Sequence, residues 1–323
     1  MKIFRGIARS GDRVPVALAI GNFDGVHRGH QALLAQLVAA ARRHGLSPAV
    51  MTFEPHPREL FTPDSAPARV ANIRDKIEAL AANGVERVFI QHFSRRFASL
   101  APEQFIGDVL VAGLDTRCLL VGDDFRFGAR RAGDVDLLRS RAAQYGYAVE
   151  QLATVQEHGV RVSSSEVREA LAAGNLAHAA ALLGRPYAIS GRVLHGRKLG
   201  REIGFPTLNL RLAHRRPAAR GIYAVKVHGL GEHARPGVAS IGLRPTVEDS
   251  DRWLLEVHLF DFAQYVYGRL IRVELAHKLR DETKYESLHA LSDAIRNDAA
   301  AARALLAPVG PDGPGGTAAS RCP

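Results

Sequence analysis

Two histidines separated by two residues are the first candidates for chemistry in the sequence. His27 and His30 lie in the segment GNFDGVHRGH, residues 21–30. Because residues three apart share one side of a helix, both imidazoles would face the same way if a helix begins here. Paired imidazoles at the positive end of a helix suit a phosphate that undergoes substitution. The alternatives are an exposed turn or half of a zinc site, although no Cys or third His lies nearby in sequence.

The segment lies between a predicted strand and a predicted helix. Residues 14–20 form an apolar run that is typical of a buried parallel strand. An amphipathic helix that ends near Gly45 is indicated by apolar residues at three- and four-residue spacing, namely Leu33, Leu34, Leu37, Val38 and Ala41. The strand-to-helix turn offers free backbone N–H groups, and its glycines permit close approach. We predict that phosphates are bound by Gly21, Asn22, Phe23, Asp24, Gly25 and Gly29.

Length and composition limit the classes of protein to consider. A chain of 323 residues suggests two domains, and 46% apolar with 24% charged residues are typical of a soluble globular protein. A formal net charge of +10 indicates an anionic partner, without distinguishing RNA from ATP or flavin phosphates. Cys118 and Cys322 are the only cysteines, which excludes a disulfide framework and favours a reducing compartment. With no signal peptide or membrane span evident, we expect a cytoplasmic protein.

Strands alternate with helices through the first half of the chain. Strand patterns at residues 49–53, 85–90, 118–121 and 147–152, with helices between them, predict an α/β fold with a doubly wound parallel sheet. The ends of these strands should form the edge of an active site. His56, in a loop stiffened by two prolines, follows one strand, while Asp124 and Arg126 follow another in GDDFRFG. Asp124 would bind a nucleotide hydroxyl or amine and Arg126 a phosphate, unless this is merely a polar turn.

A second helix start carries more hydroxyls than capping requires. The segment RVSSSEVR, residues 161–168, has three serines between two arginines, and an ordinary N-cap needs one hydroxyl. We therefore predict a second phosphate clamp that faces the first. Its members are Arg161, Ser164, Ser165 and Arg168.

These segments resemble a known family. HRGH is similar to the HxGH signature of the nucleotidyltransferase superfamily. GNFDGVHRGH, TFEPHP, GDDFRFG and RVSSSEVR, in this order, resemble the adenylyltransferase half of bacterial bifunctional riboflavin kinase/FAD synthetases. The resemblance implies transfer of AMP from ATP to FMN, with His27 and His30 catalytic and flavin contacts from His56 and Arg126. Ser165 stands where the family more often has Thr, which keeps the hydroxyl.

The second half changes from alternating helices to strands. GRP at residues 184–186 ends the helices, and later strand patterns separated by Gly/Pro turns predict a small antiparallel β-barrel. These patterns lie at residues 187–193, 221–227, 237–241, 254–260 and 270–275. A closing helix is expected to carry Leu288, Leu291, Ile295, Ala299 and Ala302. We predict domains at 1–184 and 185–307, followed by a disordered Pro/Gly-rich tail at 308–323.

The segment GRVLHGRKLGREIGFPTLN, residues 191–209, nearly forms a P-loop but lacks the Gly-Lys-Ser/Thr ending. Its Gly-rich backbone and basic residues could still hold ATP, through Gly191, His195, Gly196, Lys198, Gly204 and Pro206. Thr207 and Asn209 offer oxygen donors suited to Mg²⁺, unless they form only a polar strand edge. The segment resembles the ATP loop and Pro-Thr-Ala-Asn signature of flavokinases. Leu208 replaces the usual Ala, and we expect its side chain to face outward.

The same resemblance supplies the remaining kinase residues. It implies that Glu256 is the catalytic glutamate and that Arg280 helps to hold the flavin. Phosphorylating riboflavin uses an alcohol as nucleophile, so a carboxylate that accepts its proton is useful, whereas the phosphate of FMN is already anionic. ATP is the expected co-substrate, with riboflavin, FMN and FAD as substrates and products.

Two other classes of protein remain as alternatives. An RNA-binding protein would explain the charge, but the sequence has no RNA-binding signature or clustered basic stripe. A tRNA ligase could use a related histidine motif, but no Lys-Met-Ser-Lys-Ser-like loop is present. Nothing in the sequence indicates a particular oligomeric state.

Overall fold

The computed structural model describes residues 1–7, 10–122, 124–152, 156–157, 160–195, 204–212, 216–244 and 252–307. The predicted tail at 308–323 lies outside these residues, as do Gly196 and Lys198. Two compact units are present: Met1–Tyr187 with Ala213–Ala218, and Ala188–Leu212 with Ala219–Pro323. The segment Ala213–Ala218 groups with the first unit, where Arg69 N donates to Arg216 O (2.9 Å) and Ala218 N donates to Arg69 O (3.3 Å). The boundary after residue 184 stays a prediction.

The N-terminal unit is built on a six-stranded parallel sheet, which confirms the predicted α/β fold. Its strands are β1 (Lys2–Arg5), β2 (Val16–Ile20), β3 (Ser47–Glu54), β4 (Arg87–His92), β5 (Thr116–Gly122) and β6 (Ala148–Leu152). The order across the sheet is β1-β4-β3-β2-β5-β6, with every pair parallel. The sequence patterns did not reveal β1, because it is a short edge strand with mostly exposed side chains. A small antiparallel pair, β7 (Gln156–Glu157) and β8 (Val160–Arg161), follows.

Helices cover both faces of this sheet. They are α1 (Arg28–His44), α2 (Pro57–Phe61), α3 (Ile73–Ala82), α4 (Arg95–Ala98), α5 (Pro102–Gln104), α6 (Val135–Tyr145), α7 (Ser164–Ala173) and α8 (Leu176–Leu183). Leu18 of β2 packs into the core on one face and its neighbour Ala19 into the core on the other, so the strand is buried throughout. Gly45 ends α1 in the left-handed conformation (φ 64°), as its position in sequence predicts.

One predicted helix is irregular. Between β4 and β5, α5 ends at Gln104 and a π-helix follows over Phe105–Val111. Four residues of the π-helix are buried, namely Phe105, Ile106, Val109 and Leu110. The wider turn therefore buries four large apolar side chains within one short segment. Segments of this kind often lie at functional sites.

The C-terminal unit is a six-stranded antiparallel sheet that curls into a nearly closed barrel, as predicted. Its strands are β9 (Ala188–Arg192), β10 (Leu208–Arg211), β11 (Gly221–His228), β12 (Arg235–Arg244), β13 (Arg252–Leu259) and β14 (Leu270–Arg280). The order is β10-β13-β12-β11-β14-β9. Leu194, just after β9, donates its N–H to Asn209 O of β10 (2.8 Å), which brings the two edges together.

The two faces of the barrel wall carry different residues. Leu210, Leu255 and Val257 are fully buried and face the interior, whereas Asn209 and Glu256 lie directly opposite each other on the outer face. Leu208 pairs with Val257, so its side chain faces the interior and the prediction that it faces outward is wrong. The strand alternation still separates Leu208 from the face that carries Thr207 and Asn209.

Helix α9 (Leu288–Leu306) covers part of the outer face. Ala299 and Ala302 pack against Ile222, Ala224 and Val238 of the sheet. Leu288 was predicted to join this apolar face but is 61% exposed, because it occupies the first turn of the helix.

Candidate active sites

The histidine pair lies at the start of α1. His27 is the N-cap residue, and its Nδ1 accepts a hydrogen bond from the backbone N–H of His30 (3.4 Å). The two rings stack with centroids 3.7 Å apart and an interplanar angle of 23°. This confirms the predicted strand-to-helix turn and the shared direction of the two imidazoles.

The turn before the helix has a constrained backbone. Phe23 and Val26 have φ angles of 48° and 42°, which are unusual for residues with a Cβ, and Gly25 has φ 82°. A Cβ on Gly25 would lie 2.7 Å from Val70 Cγ1, so glycine is required for packing as well as for conformation. The turn therefore depends on its surroundings to keep this shape.

Hydrogen bonds from side chains to four of its carbonyl groups hold the turn. Thr52 Oγ1 donates to Asn22 O (3.1 Å), and Ser164 Oγ donates to Asp24 O (3.1 Å). Arg185 Nη2 donates to Gly25 O (2.7 Å) and Arg185 Nη1 to Val26 O (3.2 Å). Arg185 was not predicted, because it is distant in sequence and belongs to no recognisable motif. With its carbonyl groups bound in this way, the turn has a fixed shape.

Asp24 and Arg168 form a buried ion pair beneath the turn. The Asp24 carboxylate accepts hydrogen bonds from Val70 N and Ala71 N (both 3.1 Å) and from Arg168 Nη2 (2.9 Å). Burial would raise the pKa of Asp24, but Arg168, the backbone N–H groups and Lys76 together lower it. Arg168 Nε also donates to Ala68 O (2.6 Å). Both charged groups support the turn from within, and their predicted contact with nucleotide phosphates stays a prediction.

Both histidines of the pair are held neutral. Burial, together with Arg168 and Arg185, lowers the pKa of His27 to about 4, against the opposing effect of Asp24. Burial, His27 and Lys76 lower the pKa of His30 well below its ordinary value. The Nδ1 atom of His30 is buried and has no hydrogen-bond partner among the described residues. A neutral imidazole keeps one N–H group, which can donate a hydrogen bond to a phosphate oxygen.

The start of α7 contacts the turn before α1, and its predicted role as a second phosphate clamp stays a prediction. Ser163 is the N-cap of α7, where its side chain accepts from Glu166 N (3.2 Å), and Ser164 reaches Asp24 O. Ser165 is exposed in the first turn of this helix. Arg161 ends β8, and its side chain lies outside the part of the structure that is described.

A cavity of about 890 Å³ opens beside this turn, where β2, β3 and β5 end. Predicted site residues that line it are Gly21, Asn22, Phe23, His30, His56, Asp124 and Arg126. Seven phenylalanines also line it, namely Phe53, Phe61, Phe93, Phe97, Phe105, Phe125 and Phe127. Their rings form a chain of contacts, such as Phe105–Phe127 with centroids 5.3 Å apart. The cavity thus joins a polar end at the histidine pair to an aromatic wall.

His56 and Arg126 both have partners in their own loops. His56 caps α2. Its ring Nδ1 accepts a hydrogen bond from the backbone N–H of Arg58 (3.2 Å), and its own backbone N–H donates to Glu59 Oε2 (2.9 Å). Arg126 forms an ion pair with Asp134 (2.8 Å). Their predicted contacts with flavin would add to these interactions or replace them.

Because these histidines are neutral in the folded state, we predict that the free energy of unfolding of this unit falls in acid. Burial and Arg69 lower the pKa of His56 to about 4, as burial and Arg168 do for His27, while an unfolded histidine titrates near 6.5. Between pH 7 and 5 the unfolded chain therefore gains protons that the folded chain does not. Each histidine should cost about 2 kcal/mol of unfolding free energy by pH 5.

We expect His56→Asn, which keeps a capping side chain, to reduce this loss by about 2 kcal/mol. The measurement is urea unfolding at pH 7 and 5, followed by hydrogen exchange in peptides from β2 and β3. The control is His44→Asn, at an exposed position, which should leave the pH dependence unchanged. Equal pH dependence in His56→Asn and the unmodified protein would contradict the prediction.

A second cavity, of about 280 Å³, lies on the outer face of the barrel beneath α9. It is lined by the predicted residues Thr207, Glu256 and Arg280. Asn209 lies directly opposite Glu256 on the neighbouring strand, and its Nδ2 donates to Thr207 O (3.3 Å). The structure thus brings together an alcohol, an amide and a carboxylate from residues 207, 209 and 256.

Arg280 and Glu282 have interactions that the sequence did not indicate. Arg280 forms two hydrogen bonds with Asp298 of α9 (2.8 and 2.6 Å), so its guanidinium ties β14 to the helix. Glu282 accepts a hydrogen bond from Ser240 Oγ (2.9 Å) and lines the same cavity as Glu256. Burial and the nearby Glu256 raise the pKa of Glu282, although the bond from Ser240 opposes this.

The residues predicted to hold the kinase nucleotide have varied surroundings. The His195 ring stacks on Tyr267 with centroids 3.9 Å apart. Pro206 O lies 3.0 Å from Nδ1 of His258, and Gly204 has φ 84°. Gly191 lies within β9, where a Cβ would approach Leu210 Cδ2 to 3.0 Å, so packing alone favours glycine there. Its predicted contact with phosphate stays a prediction.

Within the part of the chain that is described, no three His, Cys, Asp or Glu side chains are grouped so that they could hold a metal ion. No described helix combines the length and apolar character that crossing a membrane would require.

The fold and its two cavities define a class of protein, an α/β unit of nucleotidyltransferase type followed by a barrel of flavokinase type. Comparison with known proteins supports both halves. Residues 10–166 match the model of the FAD synthetase family, and residues 183–306 match that of the riboflavin kinase family.

Proteins with similar sequences match along nearly their whole length. The chain is 50% identical over 305 residues to a bifunctional riboflavin kinase/FMN adenylyltransferase of Escherichia coli, with 94% of this chain and 97% of the relative covered. It is 49% identical over 310 residues to the protein of the same description from Pseudomonas fluorescens, covering 95% and 99%. The chain therefore belongs to the family of bifunctional riboflavin kinase/FMN adenylyltransferases.

A solved structure agrees in overall fold. It is described as a macrolide-efflux protein from Streptococcus pneumoniae and superposes with a TM-score of 0.71 at 30% identity, covering 92% of this chain and 96% of that one. The words macrolide-efflux protein describe that structure and are not applied to this chain. The likeness supports the arrangement of elements in both units.

Proposed function

We propose that this chain makes FAD from riboflavin in two steps. The barrel unit transfers a phosphate from ATP to riboflavin, giving FMN. The α/β unit then transfers AMP from a second ATP to FMN, giving FAD and pyrophosphate. The observation that carries the proposal is the pair of cavities with different chemistry. One has carboxylates beside hydroxyl groups, with the amide of Asn209 on the strand next to Glu256, and the other has neutral imidazoles beside an aromatic wall.

The first cavity suits a reaction between two phosphates. The phosphate of FMN is already anionic near neutral pH, so its attack on the α-phosphate of ATP requires no general base. The reaction instead requires groups that stabilise charge on the transferred phosphate and on the departing pyrophosphate. His30 and the N-terminus of α1 would supply this stabilisation, and the ring of His27, which stacks on His30, supports the assignment. The phenylalanine wall provides an apolar surface against which an isoalloxazine ring can stack.

The second cavity suits an alcohol nucleophile. The terminal hydroxyl of riboflavin loses a proton as it attacks the γ-phosphate of ATP, and Glu256 would accept that proton. Thr207 and Asn209 would hold Mg²⁺, because a hydroxyl and an amide oxygen are hard donors that leave room for phosphate oxygens and waters. The Nδ2 of Asn209 already bonds Thr207 O, which leaves the Oδ1 atom for such a role. When bound, the metal would offset negative charge on the transferred phosphate.

The compartment and partners follow from the chemistry. We propose a cytoplasmic enzyme whose partners are ATP and flavins, and for which no nucleic acid is needed. The near absence of cysteine and the burial of Cys118 support a reducing compartment. The positive charge at the first cavity accounts for part of the net charge without RNA.

The purified chain should convert riboflavin to FMN and then FAD when ATP and Mg²⁺ are supplied. Separation of the flavins by chromatography at successive times should show FMN rising before FAD. With FMN and ATP alone as substrates, FAD and pyrophosphate should form in equal amounts. Chelation of Mg²⁺ should stop riboflavin phosphorylation, and added Mg²⁺ should restore it. Failure to make either flavin nucleotide, with correctly folded protein, would refute the proposal.

A further inference from the structure

The turn at residues 128–133 places two arginines at the first cavity that the reaction described above does not use. Arg130 and Arg131 both line the cavity and are exposed. Within the part of the chain that is described, neither guanidinium forms an ion pair or a hydrogen bond. Arg126 differs, because Asp134 neutralises its charge (2.8 Å). Asp124 also lines the cavity, and Arg130 and Arg131 add two positive charges to it without forming an ion pair among the described residues.

The turn is attached firmly to the aromatic wall. Phe127 and Gly133 exchange two backbone hydrogen bonds (3.0 and 2.9 Å), and a Cβ on Gly133 would lie 2.6 Å from the Phe127 ring. Ala129 N donates to Leu100 O (2.7 Å). Leu100 lies between Phe97 and Phe105 in sequence, and both of those rings line the cavity. The turn is thus held at both ends by the segments that form the aromatic wall.

The backbone of the turn is unusual at the arginines themselves. Arg130 has φ 54° and ψ 20°, and Arg131 has φ 59°. Two successive residues with a Cβ in the left-handed region are unfavourable, and glycine would suit both positions better. Strain of this kind is concentrated at binding sites, where it orients particular side chains. Conformation alone therefore does not explain why arginine occupies these positions.

We propose that Arg130 and Arg131 bind the phosphate ester of the flavin nucleotide, and so make this cavity select FMN over flavins without a phosphate. The inference rests on the proposed adenylyl transfer in the same cavity. A guanidinium presents two parallel N–H groups that match two phosphate oxygens, and two guanidinium groups balance a dianion. The attacking phosphate would then be oriented by groups on the flavin side of the cavity.

The phosphates of ATP are the other chemical source of such an anion. The proposed adenylyl transfer already assigns the phosphates of ATP to His30 and the start of α1, at the turn that Ser164 of α7 contacts. Arg130 and Arg131 belong instead to a turn that is anchored on the phenylalanine wall. The flavin phosphate is therefore the ligand that their position favours.

The test compares the double variant Arg130→Gln/Arg131→Gln with the unmodified full-length protein in the conversion of FMN to FAD. We expect the KM for FMN to rise at least about tenfold, the usual scale for lost charge-assisted hydrogen bonds, and the KM for ATP to stay within about twofold. The inhibition constant of lumiflavin, which has the ring but no phosphate, should be unchanged. The control is Arg95→Gln/Arg96→Gln, which removes the same charge from exposed residues outside the cavity lining and should change none of these values.

Other outcomes would overturn the proposal in distinguishable ways. A rise in the KM for ATP alone would assign the arginines to the nucleotide, and weaker lumiflavin inhibition would assign the turn to the ring. Unchanged constants would leave the arginines without a role in binding. Arg130→Gly/Arg131→Gly repeats the test with residues that tolerate the left-handed conformation, and must give the same selective rise. If the unmodified protein makes no FAD from FMN, the proposed function fails, whatever the variants do.

Discussion

Replacing Glu256 by glutamine should lower the kinase turnover number by about a hundredfold or more, the usual scale for a lost general base. The amide keeps the shape of the side chain between Asn209 and Ser240 on the neighbouring strands, but it cannot accept the proton of the riboflavin hydroxyl. Affinity for riboflavin should change little. Conversion of supplied FMN to FAD should continue, because its phosphate nucleophile needs no deprotonation and its groups lie in the other unit.

Measuring both reactions on one purified variant provides an internal control, because retained conversion of FMN to FAD shows that the protein is folded. Glu274→Gln is a matched control, since this carboxylate lies on β14 of the same barrel but does not line the cavity. Glu282→Gln is informative for a different reason: Glu282 shares the cavity with Glu256, and its bond from Ser240 can be kept by an amide oxygen. A large kinase loss in Glu282→Gln with normal turnover in Glu256→Gln would move the role of base to Glu282.

The parts of the fold that could be predicted are those encoded by residues close together in the sequence. The apolar run of β2, the glycines of the turn and the spacing of Leu34, Leu37 and Ala41 all lie within 30 residues, and each is visible in the sequence. The alternation of strands and helices then gave the sheet, because parallel strands require helical connections. By the same reasoning, short strands and Gly/Pro turns indicated the barrel.

The parts that the sequence did not reveal depend on contacts between distant residues. Arg185 binds the carbonyl groups of Gly25 and Val26 across about 160 residues of chain, and no pattern at either end indicates it. Lys76 was unremarkable in sequence but is fully buried, 3.4 Å from Thr52 Oγ1. The aromatic wall is assembled from residues at the ends of β3, β4 and β5 and from α2, α4 and the π-helix, so its phenylalanines have no common spacing. Arg280 was predicted to contact flavin, and sequence could not show that Asp298 would be its partner.

His30→Ala should lower the conversion of FMN to FAD by about a hundredfold to a thousandfold, the scale expected when one donor to a developing phosphate charge is lost. His30 is the member of the pair that lines the cavity, and its neutral imidazole has one N–H group that can donate to the transferred phosphate. Riboflavin phosphorylation should be nearly intact, because the histidine pair belongs to the N-terminal unit alone. Both activities are followed by chromatography of the flavins.

Structural damage must be separated from lost chemistry in this variant. The His30 ring packs against Phe23 (centroids 5.0 Å apart) as well as His27, so alanine also removes packing. His30→Asn or His30→Gln retains an N–H donor and should recover part of the activity, while an equal thermal stability across the three variants would exclude unfolding. His44→Ala, at the exposed end of the same helix, should leave both reactions unchanged.

If His30→Ala is folded yet loses kinase activity as much as adenylyl transfer, the assignment of the histidine pair to FAD formation is wrong. Full adenylyl transfer in that folded variant would instead place the stabilising donor elsewhere in the turn, among the N–H groups at the start of α1.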